Sequence, residues 1–501
     1  MSALIAAPLL LPAFAGTAAL LFRRRRRAIG AGISIGATAV LLLVGVLLIV
    51  QAQTQGITAY ALGSWPAPFG IVLVLDRLSA MMLVLTATLA LALNVHAVLT
   101  GLDRRGWHFH PLFQFQLLGV NGAFLTGDLF NLFVFFEVLL IASYGLLLHG
   151  QGARRLTAGV QYVIVNLVGS TLFLIALGLL YGITGTLNMA DMAVRGAALA
   201  AGDQGLFRAG GMLLMAVFAL KAALLPLHLW LPRAYAGAAP AVAALFAIMT
   251  KVGAYAIIRT SPLIFDGAVG TYMLPAALGT MLLGFAGFLA ARHLRSMAAF
   301  GLIGSTAVLL TAIALFDPSA MAAALYYLPH TTLAAALMFL LTDLIIRWRG
   351  VEGDAIVSTP GYSGQAGLAF LFLAVGVALA GLPPLSGFIG KLLILQAALQ
   401  SPAWVAIWAV ILGTSLIAVI GFARAGSTLF WKQSQPQKAP YERDAPHLME
   451  AGAALFLLAV LAAMTAGAGP VTAFMDAASR EVFDTAGYVR AVLPAPPEGG
   501  E

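Results

Sequence analysis

Apolar stretches of about 20 residues follow one another along nearly the whole chain, separated by short polar segments. A helix of that length crosses a hydrocarbon core of roughly 30 Å and satisfies its own backbone hydrogen bonds in lipid. A membrane β-barrel would instead show short segments of alternating polarity. The pattern predicts an all-α polytopic membrane protein. The predicted spans are fourteen, at residues 3–22, 28–50, 79–100, 111–127, 129–148, 159–182, 207–230, 237–259, 271–291, 296–316, 319–346, 365–399, 403–431 and 450–472.

Two of these spans contain proline interruptions in a similar place. Span 7 has Lys221 five residues before Pro226, and span 12 has Lys391 shortly after the sequence GLPP at 381–384. Such breaks are tolerated at membrane depth only where protein or water satisfies the freed backbone groups. Interrupted helices at corresponding positions of two halves are typical of inverted repeats. Spans 4–8 and 9–13 are therefore predicted to form two inverted five-helix units.

The chain divides accordingly into four segments. Residues 1–110 hold spans 1–3 and an outer loop, residues 111–260 the first repeat and residues 271–431 the second. Residues 432–501 hold a cytoplasmic loop, span 14 and an outer tail. Within that tail, residues 471–493 fit either an amphipathic helix on the outer surface or a contact with a partner, and the sequence leaves both open.

Charge supports this topology. The 501 residues are 61% hydrophobic and only 9% charged, against about 25% charged in soluble domains. With the N-terminus outside, 17 basic residues fall in predicted cytoplasmic loops and 6 on the outer side, as the positive-inside rule requires. The net charge of +8 is therefore an orientation signal rather than a nucleic-acid footprint, and both termini are predicted outside. The cytoplasmic set is Arg23 to Arg27, Arg104, Arg105, Arg154, Arg155, Arg233, Arg292, Arg295, Arg347, Arg349, Lys432, Lys438 and Arg443, and the outer set is Arg77, Arg195, Arg208, Arg259, Arg480 and Arg490.

No cofactor or metal is expected. The chain has no cysteine, which excludes disulfides and thiolate ligands for zinc or iron–sulfur clusters. His108 and His110 have a ligand-like spacing but lie at a predicted membrane edge without further ligands.

Four charged residues fall deep inside the spans: Glu137, Lys221, Lys251 and Lys391. Each charge at the bilayer centre costs about 2.5–3.5 kcal/mol, so these groups should face one another or water inside the bundle. The choice of lysine matters, because a buried lysine can release its proton whereas an arginine stays charged. The pattern indicates proton transfer, with Glu137 and Lys221 as an ion pair. Static ion pairs that only hold helices together are the structural alternative.

His228 in span 7 and His330 in span 11 add groups that titrate near neutrality. Each could instead hydrogen-bond backbone that a nearby proline loosens. The glycine-rich segment GLIGS at 301–305 is most simply close helix packing.

Four stretches carry a family resemblance: NLFVFFEVLL, ALKAALLPLHLWLP, VAALFAIMTKVGAYAIIR and AGLPPLSGFIGK. They resemble the antiporter-like subunits shared by respiratory complex I, membrane-bound hydrogenases and Mrp-type cation/proton antiporters. The resemblance covers about residues 70–430. The segment SWPAPFGIVLVLDRLSAMM at 64–82 and the chain length are most similar to the D-type subunits of the Mrp group.

The resemblance implies fourteen helices and a mid-membrane chain of polar residues linked by water. It implies a proton-translocating subunit of a secondary Na⁺(K⁺)/H⁺ antiporter in a bacterial cell membrane, not an enzyme, with the A-, B-, C-, E-, F- and G-type Mrp subunits as partners. The matching positions are Glu137 in helix 5, Lys221 in helix 7, Lys251 in helix 8 and Lys391 in helix 12, with His228 and His330 along the same axis.

One departure and two rival functions accompany this resemblance. The family often has a lysine four residues after the helix-11 histidine, where this chain has Ala334, so the step from Lys251 to Lys391 is expected to rely on His330 and water. A redox-driven pump subunit of complex I or a hydrogenase would look nearly identical, and a scaffold subunit would use the same charges only for packing.

Asp103, Asp128 and Asp343, near predicted membrane edges, could bind a cation or merely be solvated, and the choice between Na⁺ and K⁺ stays open.

Overall fold

The computed structural model describes residues 2–22, 27–65, 67, 70–265, 269–361, 364–432 and 448–493. Most of these residues are helical, and eleven helices among them are long and apolar enough to cross a membrane. The prediction of an all-α polytopic membrane protein is confirmed. The count of fourteen crossings and the two inverted repeats stay predictions. Of the basic residues used for the orientation, Arg23 to Arg26, Lys438 and Arg443 lie outside the described residues.

The first part of the chain combines long helices with a small β-hairpin. Strand β1 (Thr58–Ala61) pairs antiparallel with β2 (Val72–Leu75). Asp76 then caps the next helix, because its carboxylate accepts from the Ser79 N–H and the Ser79 hydroxyl accepts from the Asp76 N–H. The helices are α1 (Ala7–Leu21), α2 (Arg27–Gln55), α3 (Arg77–Leu99), α4 (Phe109–Leu125), α5 (Leu129–Leu148) and α6 (Ala153–Thr184).

The interruption expected in span 7 is present. The next helices are α7 (Met189–Ala197), α8 (Ala201–Lys221), α9 (Trp230–Gly237), α10 (Pro240–Phe246) and α11 (Met249–Ile264). Lys221 is the last residue of α8, and the chain is irregular until α9 begins. The Leu225 N–H donates to the Thr280 hydroxyl at 2.8 Å. The Trp230 indole N–H donates to the Leu220 carbonyl at 3.1 Å, so side chains satisfy backbone groups that the break sets free.

The second interruption lies in span 12. The helices here are α12 (Gly270–Ala290), α13 (Leu294–Ala314), α14 (Pro318–Arg349), α15 (Gln365–Ala380), α16 (Ser386–Ala398) and α17 (Trp404–Gly426). Gly381 follows α15 with a φ of 74°, which glycine adopts without steric cost. A Cβ atom on Gly284 of α12 would lie 2.9 Å from the Cα atom of Gly304 on α13. This close approach agrees with the packing interpretation of the glycine-rich segment.

The C-terminal segment packs against the rest of the chain. Its helices are α18 (Gly452–Ala466), α19 (Ala468–Phe483) and α20 (Thr485–Val492). Glu481 of α19 forms an ion pair with Arg77 at the start of α3, and the Tyr488 ring of α20 lies 5.4 Å from the Arg259 guanidinium. Residues 471–493 are thus helical and contact this chain's own helices, and both alternatives for this segment, an amphipathic helix on the outer surface and a partner contact, stay open.

Some helices lie in the centre of the bundle and others at its periphery. The most apolar part of Pro240–Ile264 is fully buried by the rest of the chain, and that of α14 is 89% buried. Only 33% of the corresponding part is buried in α2 and in α17.

Two arginines mark the opposite ends of α3. The Arg347 guanidinium donates to the Thr100 carbonyl, just beyond the C-terminal end of α3, while Arg77 lies at its other end. Basic residues assigned to opposite sides of the membrane thus lie at opposite ends of α3, and which end faces the cytoplasm stays a prediction.

Candidate functional site

Glu137 and Lys221 both contact helix α6. Glu137 is half-buried in the middle of α5, and Lys221 is buried at the end of α8. The Ser170 hydroxyl of α6 donates to Glu137 Oε1. One turn earlier on α6, Asn166 Oδ1 accepts a hydrogen bond of 3.1 Å from Lys221 Nζ. Helix α6 therefore places one neutral polar side chain against each charged group.

The expected direct ion pair between Glu137 and Lys221 is wrong in its geometry. No N–O contact within 4.0 Å joins the two residues, and each instead contacts a polar side chain of α6. The Lys221 ammonium also lies 5.8 Å from the centre of the Phe136 ring, where cation–π attraction contributes. Because α6 supplies hydrogen-bond partners to both charged groups, α5 and α8 need not bring them into contact.

Lys251 lies in the first turn of α11 and is fully buried. Its Nζ donates to the Thr306 hydroxyl of α13 at 2.8 Å and to the Thr250 hydroxyl at 3.3 Å. Among the described residues no carboxylate forms an ion pair with it. The sequence correctly placed this lysine in the interior, and the structure adds that its contacting partners are hydroxyl groups.

His330 lies in the middle of α14 and is buried. Its Nδ1 lies 2.9 Å from the hydroxyl of Ser386, the first residue of α16. The neighbouring Thr331 hydroxyl donates to Ser305 Oγ of α13 at 2.8 Å, and Ser305 directly precedes the Thr306 that binds Lys251. A hydrogen bond between two hydroxyl groups thus joins α13 to α14, one residue from Thr306 on α13 and one residue from His330 on α14.

Lys391 lies in α16, just past the second interruption. Its Nζ donates to the Ala380 carbonyl at 2.8 Å and to the Ser415 hydroxyl of α17 at 2.8 Å. Ala380 is the last residue of α15, so the ammonium satisfies a carbonyl that the break leaves without a helical partner. The ammonium also lies 5.9 Å from the centre of the Phe285 ring.

His228 stands apart from the other predicted groups. It lies in the irregular segment between α8 and α9 and is only 5% exposed. Its Nδ1 has no hydrogen-bond partner among the described residues, so the structure connects it neither to the lysines nor to loosened backbone through that atom. Its part in proton transfer stays a prediction.

The three interior lysines share one arrangement. Each donates to a neutral side chain on a neighbouring helix: Asn166, Thr306 or Ser415. A neutral acceptor stabilises the protonated amine but leaves no unpaired buried carboxylate when the proton departs. Such sites can bind and release a proton in turn.

These neutral partners were not singled out from the sequence. They are short polar residues within apolar stretches, such as the asparagine of YVIVNLVGS and the threonine of GLIGST. Isolated serine and threonine are common in membrane helices, where they bond to the backbone of their own helix. Only the spatial neighbours distinguish the functional candidates from those.

The family follows from a comparison with known sequence families. The family described as "NADH:quinone oxidoreductase/Mrp antiporter, TM" matches residues 126–418 of this chain. This is more than half of the chain, and it contains all six predicted site residues. The chain belongs to the NADH:quinone oxidoreductase/Mrp antiporter family.

Relatives within the NADH:quinone oxidoreductase/Mrp antiporter family match over the full length. The chain is 38% identical to the D-type subunit of a probable K⁺/H⁺ antiporter of Rhizobium meliloti, covering 99% of both chains. It is 35% identical to the D-type subunit of a Na⁺/H⁺ antiporter of Alkalihalophilus pseudofirmus, covering 98% of this chain and 100% of the relative. A chain in the structure of the Mrp complex from Dietzia sp. DQ12-45-1b has a TM-score of 0.89 at 28% identity, covering 99% of this chain and 100% of that one.

The acidic residues near the predicted membrane edges have partners of their own. Asp343 lies 3.1 Å from His96 and 2.9 Å from Arg347. The Asp103 carboxylate lies 3.5 Å from a histidine, and Asp128 caps α5. No group of three or more His, Cys, Asp or Glu side chains that could hold a metal ion occurs in the part of the chain that the structure describes. The route of the transported cation is therefore not assigned to these residues.

Proposed function

We propose that this chain is a proton-translocating subunit of a multisubunit antiporter that exchanges protons for Na⁺, K⁺ or both across a bacterial cell membrane. Its proposed partners are the A-, B-, C-, E-, F- and G-type subunits of an Mrp complex. The observation that carries the proposal is the series of three buried lysines with neutral acceptors on neighbouring helices. Full-length relatives named as D-type antiporter subunits favour antiport over a redox-driven pump.

Glu137 and Lys221 form the proposed switch. While Glu137 is ionised, its negative charge favours the protonated form of Lys221. When Glu137 is neutralised, Lys221 holds its proton less tightly and releases it towards Lys251. Ser170 and Asn166 hold the two charged groups near each other but out of contact, so this influence is electrostatic and reversible rather than a closed ion pair.

Beyond Lys251 the proposed path follows hydroxyl groups to His330 and ends at Lys391. The Ser305–Thr331 hydrogen bond supplies a donor and an acceptor on residues adjacent in sequence to Thr306, the partner of Lys251, and to His330. Water completes the steps between side chains that do not bond directly. A scaffold subunit would behave differently, because neutralising a lysine would impair assembly and leave antiport per assembled complex unchanged.

The proposed topology has fourteen crossings, two inverted five-helix repeats and both termini outside. Its support is the distribution of basic residues and the presence of interruptions after Lys221 and before Lys391. Since the chain has no cysteine, single cysteines at Arg480 and Arg104 can be labelled in intact cells with a membrane-impermeant maleimide. Labelling at position 480 alone is expected, and labelling at position 104 alone contradicts the orientation.

The function is tested in inside-out vesicles from a host without its own antiporters, expressing this chain with its whole operon. The vesicle interior is acidified by respiration, and a pH dye reports alkalinisation when NaCl or KCl is added. Wild type is expected to respond to one or both salts, and Glu137→Gln is expected to respond at least about tenfold more slowly. Glu450→Gln, which removes a glutamate outside the relay, is the control.

Two outcomes would overturn this account. Correctly assembled wild type without any cation response contradicts antiport and favours the redox-linked pump. A wild-type response in the assembled Glu137→Gln complex leaves antiport intact and contradicts the switch.

A further inference from the structure

A cavity of about 1060 Å³ lies between α8, α11, α12 and α20, and none of the proposed relay residues lines it. Some of its lining side chains, such as Met212 and Tyr272, are exposed on the surface of the chain. The cavity is therefore a groove that opens sideways, where a membrane protein meets lipid.

The groove is polar at one end only. Its polar lining residues are Gln204 and Arg208 on the first half of α8, Tyr272 near the start of α12 and Thr485 at the start of α20. The other described residues that line it are apolar, down to residues 224–227 in the interruption that follows α8. One end thus suits an aqueous interface and the other suits hydrocarbon.

The length of the groove matches one leaflet of a bilayer. Arg208 precedes Lys221 by thirteen residues, which is about 20 Å of helix. On the opposite wall, Thr280 bonds to Leu225 in the interruption, and Tyr272 lies about 12 Å from it along α12. Half of a hydrocarbon core is about 15 Å. The apolar end therefore lies near the bilayer midplane, and Arg208 and Tyr272 lie at the level of the headgroups.

The charge at the polar end has no partner among the residues that the structure describes. Arg208 is exposed, and it forms no ion pair or hydrogen bond with any residue that the structure describes. Tyrosine is favoured at the same depth, because its ring sits among headgroups while its hydroxyl reaches water. An anionic headgroup complements this end, and the apolar wall below it suits acyl chains.

We propose that this groove binds a phospholipid of the adjacent leaflet with an anionic headgroup. Its phosphate contacts Arg208, and its acyl chains lie along α8 and α12 down to residues 224–227. A membrane-spanning helix of a partner subunit fits less well, because it would cross both leaflets whereas the groove ends at the interruption. The proposal is independent of the proposed antiport.

Headgroup charge sets the selectivity of this site. Bilayer chains are as apolar as the groove wall, so moving an acyl chain from the bilayer into the groove gains little. One basic residue at the interface favours an anionic over a zwitterionic lipid by about fivefold. Removing Arg208 should therefore remove the preference, and filling the apolar end should remove retention of any lipid.

The test is native mass spectrometry of the whole purified complex in mild detergent, with phosphatidylglycerol or phosphatidylethanolamine added. Wild type is expected to bind phosphatidylglycerol about fivefold more tightly than phosphatidylethanolamine. Arg208→Gln is expected to lose this preference, and Ala276→Phe to lose bound lipid. Arg480→Gln, an exposed arginine outside the groove, is the control. Excess glycerol 3-phosphate should not compete, because it lacks the acyl chains.

The opposite results overturn the proposal. Equal binding of the two lipids by wild type, or unchanged lipid preference in Arg208→Gln, contradicts it even if Ala276→Phe fails to assemble. Competition by glycerol 3-phosphate would assign the site to a free phosphate ester. A photoreactive maleimide attached to Met212→Cys that cross-links a partner subunit, and not lipid, would assign the groove to protein.

Discussion

The two interrupted helices hold their lysines in different surroundings. Lys221 ends the first half-helix and donates to an amide, with Glu137 within electrostatic reach. Lys391 lies in the second half-helix of its pair and donates to the Ala380 carbonyl and the Ser415 hydroxyl. Both amines lie at the C-terminal end of a half-helix, where the helix dipole favours positive charge. Lys221 also shares its neighbouring helix α6 with a carboxylate, because Glu137 contacts Ser170 four residues after Asn166.

This difference assigns different roles to the two ends of the relay. The proton affinity of Lys221 depends on the charge of Glu137, which can change. The proton affinity of Lys391 depends on a backbone carbonyl and a hydroxyl, whose charges do not change. In the proposed mechanism the first interruption is therefore the regulated end, and the second is a fixed acceptor.

The largest effect is expected at the centre, where the two ends must exchange protons. Lys251→Met keeps the volume of the side chain and removes the proton carrier, so antiport per assembled complex should fall by about 100-fold or more. The vesicle assay measures this rate, and immunodetection of the other subunits corrects for assembly. Lys432→Met, at an exposed lysine just after α17, is the matched control. A near-normal rate in the assembled Lys251→Met complex would show that protons do not pass through Lys251 between the two ends.

A smaller effect is expected at Asn166 of α6, the hydrogen-bond acceptor of Lys221. Asn166→Leu removes the acceptor of Lys221, and antiport should fall by about fivefold, which corresponds to the roughly 1 kcal/mol that a typical hydrogen bond contributes. Asn166→Asp should also slow antiport, because a carboxylate in direct contact would hold the lysine proton. If Asn166→Asp were faster than wild type, a closed ion pair would be the better description of the regulated end.

A third effect is expected at the hydrogen bond between Thr331 and Ser305. Thr331→Val preserves shape and removes the donor to Ser305, so antiport should fall by about threefold, because water can replace part of a hydrogen-bonded step. Thr342→Val, on the same helix but bonded only to its own backbone, should leave the rate unchanged. Equal rates in the two variants would show that the proton does not use this hydroxyl.

The smallest effect on transport is expected at a buried ion pair away from the relay. Arg259 and Asp76 form two hydrogen bonds, at 2.6 and 3.0 Å, at the N-terminal end of α3. Asp76→Asn should destabilise the protein by about 3 kcal/mol, measured as thermal unfolding of the purified complex. Antiport per assembled complex should not change. A lowered rate at full assembly would extend the relay to this pair.

Much of the fold could be predicted from the recurring apolar stretches, since a lipid environment requires long helices whose backbone hydrogen bonds are satisfied internally. The proline interruptions and the interior position of the three lysines could be predicted for the same reason. The separation of Glu137 from Lys221 could not, because opposite charges in an apolar stretch favour a direct pair until the neighbouring helix is known. Ser305 and Thr331 were missed because they are 26 residues apart in sequence and meet only when α13 packs on α14.

The most direct test of the central claim is a double-mutant cycle on the antiport rate of the assembled complex, with Glu137→Gln, Asn166→Leu and the double variant. If Asn166 serves to present Lys221 to the field of Glu137, the double variant should be no slower than Glu137→Gln alone, about tenfold below wild type. If the two changes act independently, their effects multiply to about 50-fold. That result would contradict the coupling of Glu137 and Lys221 through α6.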